Sequence, residues 1–349
     1  MISAKMGRGA IAVATAAVAV GLAVSAQAAE TTITAVNSLQ ITNTQTQSFL
    51  KTLIAPVNRD GKGLVQIKFL GAQEIVPPRK AAKALRRGQF GMLGSPTAYY
   101  LGMVPEGRAL QVANQGPHAL RKNGGWKLLQ KIYKKKAGAH LLAWGNSRTF
   151  YFTFLAKMPK FDKDGVPDLT GIKMRATGTY RPLFRALGAS TINIKSSEVY
   201  TAMQRGTVGG FGFPGAGVVP NGFHKVAKYR ITPEYYQTND VVTVNLEVWA
   251  KLNQKQKDFL TEKAIQYEKD SVKFIHAQWE IEQKILLTKG GPDGKGVKDI
   301  ALTGKAAKKY LDIAYGEVWK VFKAKAPENY EALKKLLYIE GKPNLLPLK

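Results

Sequence analysis

The chain has 349 residues, of which 45% are hydrophobic, and it carries a formal net charge of +28. This length is enough for two domains with sizeable cores, and the composition is that of a globular protein rather than a disordered or fibrous one. Because the chain contains no cysteine, disulfides are excluded and the fold must rely on a packed core.

The first 28 residues are predicted to be a secretory signal peptide. Lys5 and Arg8 precede an apolar run over residues 9–24, and Ala26-Gln27-Ala28 fits an A-x-A cleavage site before Ala29. A membrane anchor is the alternative, but the run is shorter and richer in alanine than the ~20 strongly apolar residues that a span needs. We therefore expect export to the periplasm, without a lipid anchor because no cysteine stands at the cleavage point.

The next part of the chain shows the order strand, helix, strand, helix, strand. The predicted strands cover residues 31–36, 65–70 and 89–93, and the helices between them cover 43–54 and 79–87. This order is typical of a doubly wound α/β domain, in which ligands bind outside the carboxyl ends of the strands. Asn37 and the loop over residues 94–100, which includes Tyr99, are therefore expected at the mouth of a cleft.

Further elements follow along the chain. The pattern predicts a basic helix at residues 126–136, strands at 140–144 and 241–245, an α/β stretch at 171–214, and closing helices at 305–321 and 328–337. Residues 253–289 contain neither glycine nor proline and carry apolar residues at helical spacing, so they predict one helix ~55 Å long. Two helices with an unmarked break are the alternative.

A specific family motif occupies the middle of the chain. Its matching residues are Asp168-Leu169, Gly171, Lys173, Arg175, Ala186 to Ala189, Glu198 to Ala202, Gln204 and Gly206. In this order they resemble the central motif of the DctP family, the periplasmic solute-binding proteins of TRAP transporters. The segment around Tyr99 is similar to a second stretch of the same family, with Gly91 where the family often has aspartate.

The resemblance implies a fold and a function. The fold would be a two-lobed α/β periplasmic binding protein with a long helix spanning both lobes. Lobe 1 would comprise residues 29–147 with a returning segment at about 240–270, and lobe 2 would comprise 148–239 with part of 271–349. The protein would capture a small organic acid by lobe closure and deliver it, as a monomer without a cofactor, to the integral-membrane subunits of a TRAP permease.

The same resemblance assigns candidate ligand contacts. Arg175 matches the arginine that holds the ligand carboxylate in the family, and its planar guanidinium suits a bidentate pair with a carboxylate. Arg148 matches a second contact position, and Trp144 ends the strand before it. A surface arginine at a strand end is the alternative for Arg175, and a salt bridge is the alternative for Arg148.

The glycine-rich segment over residues 210–215 formally fits the dinucleotide fingerprint G-x-G-x-x-G, but Pro214 interrupts the helix that this fingerprint needs. A strand-to-loop passage at the cleft wall is the better interpretation. Here Gly209, Gly212 and Phe213 replace polar residues of the family. Phe211 and Phe213 are expected to form an apolar wall, which would favour a ligand with an apolar or aromatic body, unless they belong to the core.

Two other classes of function fit the sequence less well. An exported protein that binds polyanions or nucleic acid is suggested by the positive charge, but the basic residues are spread along the chain and are not interleaved with base-stacking aromatics. An enzyme is disfavoured because the four histidines are far apart in sequence and neither G-x-S-x-G nor H-E-x-x-H occurs. A solute-binding protein without nucleic-acid binding or catalysis remains the prediction.

Overall fold

The computed structural model describes residues 30–340, together with Met1 and Ile2. The predicted signal peptide and its cleavage site therefore lie outside the described residues, apart from the first two. Between residues 30 and 340, no helix has both the length and the apolar character that crossing a bilayer requires.

The strands of the described chain are short and mostly buried. They are β1 (Thr31–Asn37), β2 (Val65–Gly71), β3 (Met92–Pro96), β4 (Ala139–Gly145), β5 (Phe150–Leu155), β6 (Lys160–Phe161), β7 (Pro167–Asp168), β8 (Lys173–Arg175), β9 (Ser190–Ile192), β10 (Gly210–Pro214), β11 (Tyr229–Gln237), β12 (Asp240–Asn245) and β13 (Lys298–Ala301). All residues of β5, β10 and β12 are buried, as expected of sheets that are covered on both faces.

The α-helices alternate with these strands and then close the chain. They are α1 (Thr44–Phe49), α2 (Ala55–Asp60), α3 (Pro78–Arg86), α4 (Gly107–Gln111), α5 (Pro117–Asn123), α6 (Gly125–Ala137), α7 (Arg181–Ala186), α8 (Val199–Gln204), α9 (Leu246–Lys251), α10 (Gln254–Lys289), α11 (Gly304–Lys325) and α12 (Pro327–Leu337). A π-helical turn, Leu50–Ile54, joins α1 to α2, so the helix predicted at residues 43–54 is present but continues to Asp60.

Two larger sheets form the two halves of the molecule. The first has the strand order β2-β1-β3-β12-β4 and the second β13-β11-β5-β10-β8-β9, while β6 and β7 pair separately. In the first sheet β1, β2 and β3 are parallel, and β12 runs antiparallel to β3 and β4. The chain passes from the first sheet to the second after β4, returns after β11, and passes to the second sheet again between β12 and β13, a stretch that includes α10.

The helix α10 is continuous over its 36 residues, which gives a length of about 54 Å at 1.5 Å per residue. Asn253 and Gln256 form a reciprocal capping box at its start, and Gly290 ends it. The predicted single helix is therefore confirmed, and the alternative with a break is not found.

Two glycines let α10 lie close to both sheets. Gly145 ends β4, and a Cβ atom there would overlap the Tyr267 ring of α10; Gly215 follows β10, and a Cβ atom there would overlap the Trp279 ring. Tyr267 is buried and Trp279 stacks on Phe152, with 5.3 Å between ring centroids. The absence of a side chain at these positions thus fixes how α10 packs against each sheet.

We expect Gly145→Ala and Gly215→Ala to lower the free energy of unfolding by about 1–3 kcal/mol each, because a methyl group must displace a packed ring. Gly316→Ala is the matched control, since a Cβ atom there meets nothing within 4 Å and alanine raises helix propensity. Urea denaturation of the three variants measures the effect. Unchanged stability of both Gly145→Ala and Gly215→Ala would contradict this packing.

Candidate functional site

The ends of strands from both sheets meet around a small cavity. It lies where β3 of the first sheet and β8 and β10 of the second sheet end, and its volume of about 30 Å³ has room for only a few water molecules. Its lining residues are Leu39, Gln45, Pro96, Ala98, Tyr99, Tyr151, Arg175, Thr177, Tyr180, Phe213 and Pro214. We call it the Arg175 cavity. Its walls are mainly apolar and aromatic, with one charged group.

Arg175 is almost completely buried, with 1% of its surface exposed. Its Nε atom donates a hydrogen bond to the Ile194 carbonyl at 3.0 Å, and Nη1 donates to the Gly212 carbonyl at 3.4 Å. Within residues 30–340 no carboxylate forms an ion pair with it. A buried cation that has only neutral partners is unfavourable unless an anion joins it.

Two tyrosines stand beside this guanidinium. The rings of Tyr151 and Tyr180 meet edge to face, with 5.3 Å between centroids. Burial raises the pKa of Tyr180 although the nearby Arg175 lowers it in part. The Tyr180 hydroxyl therefore remains protonated at physiological pH and is available as a hydrogen-bond donor.

A second, smaller cavity adjoins the first and shares Leu39, Gln45 and Pro96 with it. Its volume is about 10 Å³, the space of a single water molecule. We call it the Asp240 cavity. In contrast to the Arg175 cavity, it has several polar residues in its lining, namely Asn37, Gln45, Ser95, Asn146 and Asp240.

Asp240 is buried at the start of β12, with 6% of its surface exposed. Its Oδ2 atom accepts a hydrogen bond from Asn146 Nδ2 at 2.9 Å, and Asn146 Oδ1 accepts one from Ser48 Oγ at 2.7 Å. In the described part of the chain, Asp240 Oδ1 has no hydrogen-bond partner. Burial raises the pKa of Asp240 to about 7, and the hydrogen bond from Asn146 offsets this only in part.

Hydrogen bonds hold the two halves together around the cavities. Glu282 of α10 accepts from Thr44 Oγ1 at 3.1 Å and from the backbone nitrogen of Gly217 at 2.8 Å. These partners belong to segments that follow a strand of the first sheet and a strand of the second. On another side of the molecule, Arg108 Nη1 donates to the Gly178 carbonyl at 2.9 Å. These hydrogen bonds therefore bridge the two halves in this structure.

Four of the sequence-predicted site residues line the two cavities. Arg175, Tyr99 and Phe213 line the Arg175 cavity, and Asn37 lines the Asp240 cavity. Phe213 is 4% exposed and packs edge-on against Phe223, with 4.9 Å between ring centroids, so its other side reaches the cavity.

The other three predicted residues, Phe211, Trp144 and Arg148, line neither of these two cavities. This corrects the prediction that all seven residues belong to one site. Phe211 projects on the same face of β10 as Phe213 but lies deeper, stacked on Phe154 with 5.1 Å between centroids, and belongs to the core. Trp144 is fully buried in the core, and its Nε1 donates to the Thr238 carbonyl at 3.0 Å.

Arg148 lines a separate cavity beside α10, which includes His276 and Trp279 and shares no lining residue with the Arg175 cavity. Asn146 and Arg148 both have positive φ angles, 55° and 63°, a conformation that non-glycine residues rarely adopt. The two predicted arginines therefore line different cavities in this structure.

Sequence reasoning missed Tyr151, Tyr180, Asn146 and Asp240. A signal existed for Asp240, because it is a charged residue directly before the apolar run Val-Val-Thr-Val, at the start of a buried strand. Tyr151 and Tyr180 lie three and five positions beyond Arg148 and Arg175, and Asn146 lies two positions before Arg148. Nothing in this spacing shows that they face a cleft.

A comparison with family models identifies the protein class. Residues 36–292 match the family described as bacterial extracellular solute-binding protein, family 7, named DctP. The chain belongs to this family. The predicted DctP membership is thereby confirmed, and with it an extracytoplasmic location and the role of a receptor rather than an enzyme.

Individual relatives are distant. A monocarboxylate 2-oxoacid-binding periplasmic protein from Nostoc is 25% identical over 213 residues, which are 54% of this chain and 53% of that protein. The chain thus spans about half the length of the curated relatives that it matches first.

Solved structures match over more of the chain. A TRAP periplasmic solute-binding protein from Desulfovibrio salexigens with bound orotic acid is 19% identical with a TM-score of 0.74, covering 88% of this chain and 97% of that one. One from Haemophilus influenzae with bound L-gulonate is 16% identical with a TM-score of 0.71, covering 88% and 98%. The predicted two-lobed fold with a long helix is confirmed.

We expect the stability of Asp240→Asn relative to the parent to depend on pH. Because the pKa of Asp240 is raised from 3.8 to about 7 on folding, its contribution to stability is present below pH 4 and lost as pH rises through about 7. Asparagine does not titrate, so the variant should gain roughly 2–3 kcal/mol over the parent between pH 5 and pH 8.5.

Urea denaturation at the two pH values measures this difference. Asp312→Asn is the control, because Asp312 is exposed on α11 and its replacement should show no comparable change with pH. An equal difference between Asp240→Asn and the parent at both pH values would show that Asp240 does not titrate in this window.

Proposed function

We propose that this protein is the periplasmic binding subunit of a TRAP transporter, which captures a small organic acid in the Arg175 cavity and delivers it to the membrane permease. The observation that carries the proposal is the buried guanidinium of Arg175 without a carboxylate partner in the described chain. A ligand carboxylate would complete this site.

The donors of Arg175 are suited to that role. Of the five N–H donors that a guanidinium offers, Nε and Nη1 each direct one at a backbone carbonyl, which fixes the plane of the group. Donors on Nη1 and Nη2 remain for a bidentate contact with a carboxylate. The Tyr180 hydroxyl, protonated and adjacent, adds a further donor on the same side.

The walls of the cavity favour an acid with a compact apolar or aromatic body. Leu39, Pro96, Tyr151 and Phe213 offer apolar surface to such a body, whereas the hydroxyls of a sugar acid would be desolvated against it without partners. The relatives described above include a 2-oxoacid-binding protein and solute-binding proteins with bound orotic acid and bound L-gulonate. We propose that the ligand of this protein is more similar to a 2-oxoacid or orotic acid than to a sugar acid.

Lobe closure would couple binding to delivery. The cavity has room for only a few water molecules, so a ligand can enter only when the two halves separate. A ligand that contacts both halves then stabilises the closed form through its higher affinity for that form. We propose as lobes residues 29–147 with 240–270, and residues 148–239 with part of 271–349; the closed monomer would dock on the permease.

We expect Arg175→Ala to weaken ligand binding by roughly 2–5 kcal/mol, because the carboxylate would be left buried without its partner. Arg175→Lys should also bind much more weakly, since an ammonium keeps the charge but loses the planar fork. Calorimetry with the acid that mass spectrometry finds released from the purified protein measures both.

Arg205→Lys, at an exposed position, is the matched control and should bind like the parent. Parental affinity in Arg175→Lys would refute the bidentate contact, and parental affinity in Arg175→Ala would refute the site.

We further expect benzoate, cyclohexanecarboxylate and 4-methyl-2-oxopentanoate to raise the melting temperature more than gluconate or galacturonate does. Burying one large apolar group contributes roughly 1.5–3 kcal/mol, so Phe213→Asn should weaken the apolar acids by about tenfold or more. Phe161→Asn, at an exposed phenylalanine, is the control. Strong stabilisation by the sugar acids alone would show that the apolar wall does not select the ligand.

A further inference from the structure

Asp240 has a buried carboxylate oxygen without a hydrogen-bond partner. A ligand made only of a carboxylate and an apolar body would not supply a donor for this oxygen. Asp240 lines the Asp240 cavity, and its Oδ1 atom is buried and has no hydrogen-bond partner in residues 30–340. Buried polar atoms in folded proteins are nearly always bonded, so an exception calls for a specific partner.

The neighbouring polar groups are already engaged with each other. Asn37 Oδ1 accepts from the Leu39 backbone nitrogen at 2.9 Å and from Thr46 Oγ1 at 3.2 Å. Ser95 Oγ is bonded to Ser38 Oγ at 2.7 Å. No lysine, arginine or histidine of the described chain forms an ion pair with Asp240.

Asn146 holds the carboxylate in one orientation. Its Nδ2 bonds to Asp240 Oδ2, while its Oδ1 accepts from Ser48 and its backbone nitrogen donates to Ser271 Oγ at 3.0 Å. Because Oδ2 is held by the residue that directly follows β4, Oδ1 is the oxygen left for a partner in the cavity.

The position of Asp240 places this oxygen at the ligand edge of the first sheet. Asp240 pairs with Pro96 at the end of β3 and with Gly145 at the end of β4, and these carboxyl ends are where α/β sheets bind ligands. Leu39, Gln45 and Pro96 line both this cavity and the Arg175 cavity, so one ligand can reach both groups.

The two charged groups are also close enough to act on one side chain between them. Burial is the main reason why the pKa of the Tyr151 hydroxyl is raised. Asp240 raises this pKa further, and Arg175 lowers it. The joined cavities therefore present a positive group in one sheet and an acceptor oxygen in the other, with an aromatic wall between.

We propose that Asp240 Oδ1 accepts a hydrogen bond from a hydroxyl or ammonium group of the ligand, at the end of the ligand remote from the carboxylate that Arg175 binds. The proposal rests on the proposed function and narrows its substrate class to acids that carry a hydrogen-bond donor beyond an apolar body. Asp240 is then a specificity-determining residue, and it links the first sheet to a ligand anchored in the second.

Matched acids test this pairing. Two series share a skeleton and differ in one group: pentanoate, 5-hydroxypentanoate and 5-aminopentanoate; and phenylacetate, 4-hydroxyphenylacetate and 4-(aminomethyl)phenylacetate. Calorimetry on the parent should show that in at least one series a donor-bearing member binds about tenfold or more tightly than the member without a donor.

Three variants separate the chemistry. Asp240→Leu, which removes the acceptor at similar volume, should abolish the roughly tenfold preference for the donor-bearing acid over the plain acid. Asp240→Asn keeps an acceptor oxygen but no charge, so a hydroxyl should retain most of its advantage and an ammonium group should lose it. If Asp240→Leu does not fold, Asp240→Ala takes its place.

The outcomes distinguish this proposal from the proposed function. Plain acids that bind the parent as tightly as their donor-bearing analogues, or an advantage that survives in Asp240→Leu, would overturn the role of Asp240 and show that Oδ1 is satisfied by water, while Arg175→Ala would still abolish binding. If the parent binds none of the acids, both the carboxylate function and this proposal are overturned.

Discussion

The central feature of the structure is the buried positive charge of Arg175, which has no carboxylate partner in the described chain. The guanidinium of Arg175 is buried between two sheets, oriented by two backbone carbonyls and opposed by no carboxylate of the described chain. A protein that buries a cation in this way forgoes stability, because desolvation of the charge is only partly compensated by neutral acceptors. Under the proposed function, an incoming anion would gain more at this group in the closed form than in the open one, and this difference would drive closure.

The frame around this charge is set by α10 and by the glycines it crosses. Tyr267 and Trp279 lie twelve residues apart on the helix, about 18 Å along its axis, and each rests on a glycine at the end of a strand in a different sheet. The helix thus contacts both halves at defined points, and the hydrogen bond from Thr44 to Glu282 adds a further contact between α10 and the first half.

The sequence predicted the fold well and the site in part. Periodicity predicts α10 as one helix because no glycine or proline interrupts it, and the central motif locates Arg175 at the end of β8. The sequence did not predict that Phe211 lies in the core while Phe213 lines the Arg175 cavity. Both side chains lie on the same face of β10, and they differ only in their depth in the molecule. The sequence did not predict that Arg148 lines a different cavity from Arg175, because it gives no sign of positive φ angles at the non-glycine residues Asn146 and Arg148. The orientation of the Asp240 carboxylate depends on a hydrogen bond from Asn146, 94 positions away in the sequence. The sequence alone does not predict this contact.

The most direct measurement is a crystal structure of the protein with the acid that co-purifies with it. It should show a carboxylate whose two oxygens lie about 2.7–3.0 Å from Nη1 and Nη2 of Arg175, between closed lobes. A ligand without a carboxylate at Arg175, or an acid bound instead at Arg148 beside α10, would contradict the central claim that the buried guanidinium is the anchor of the receptor.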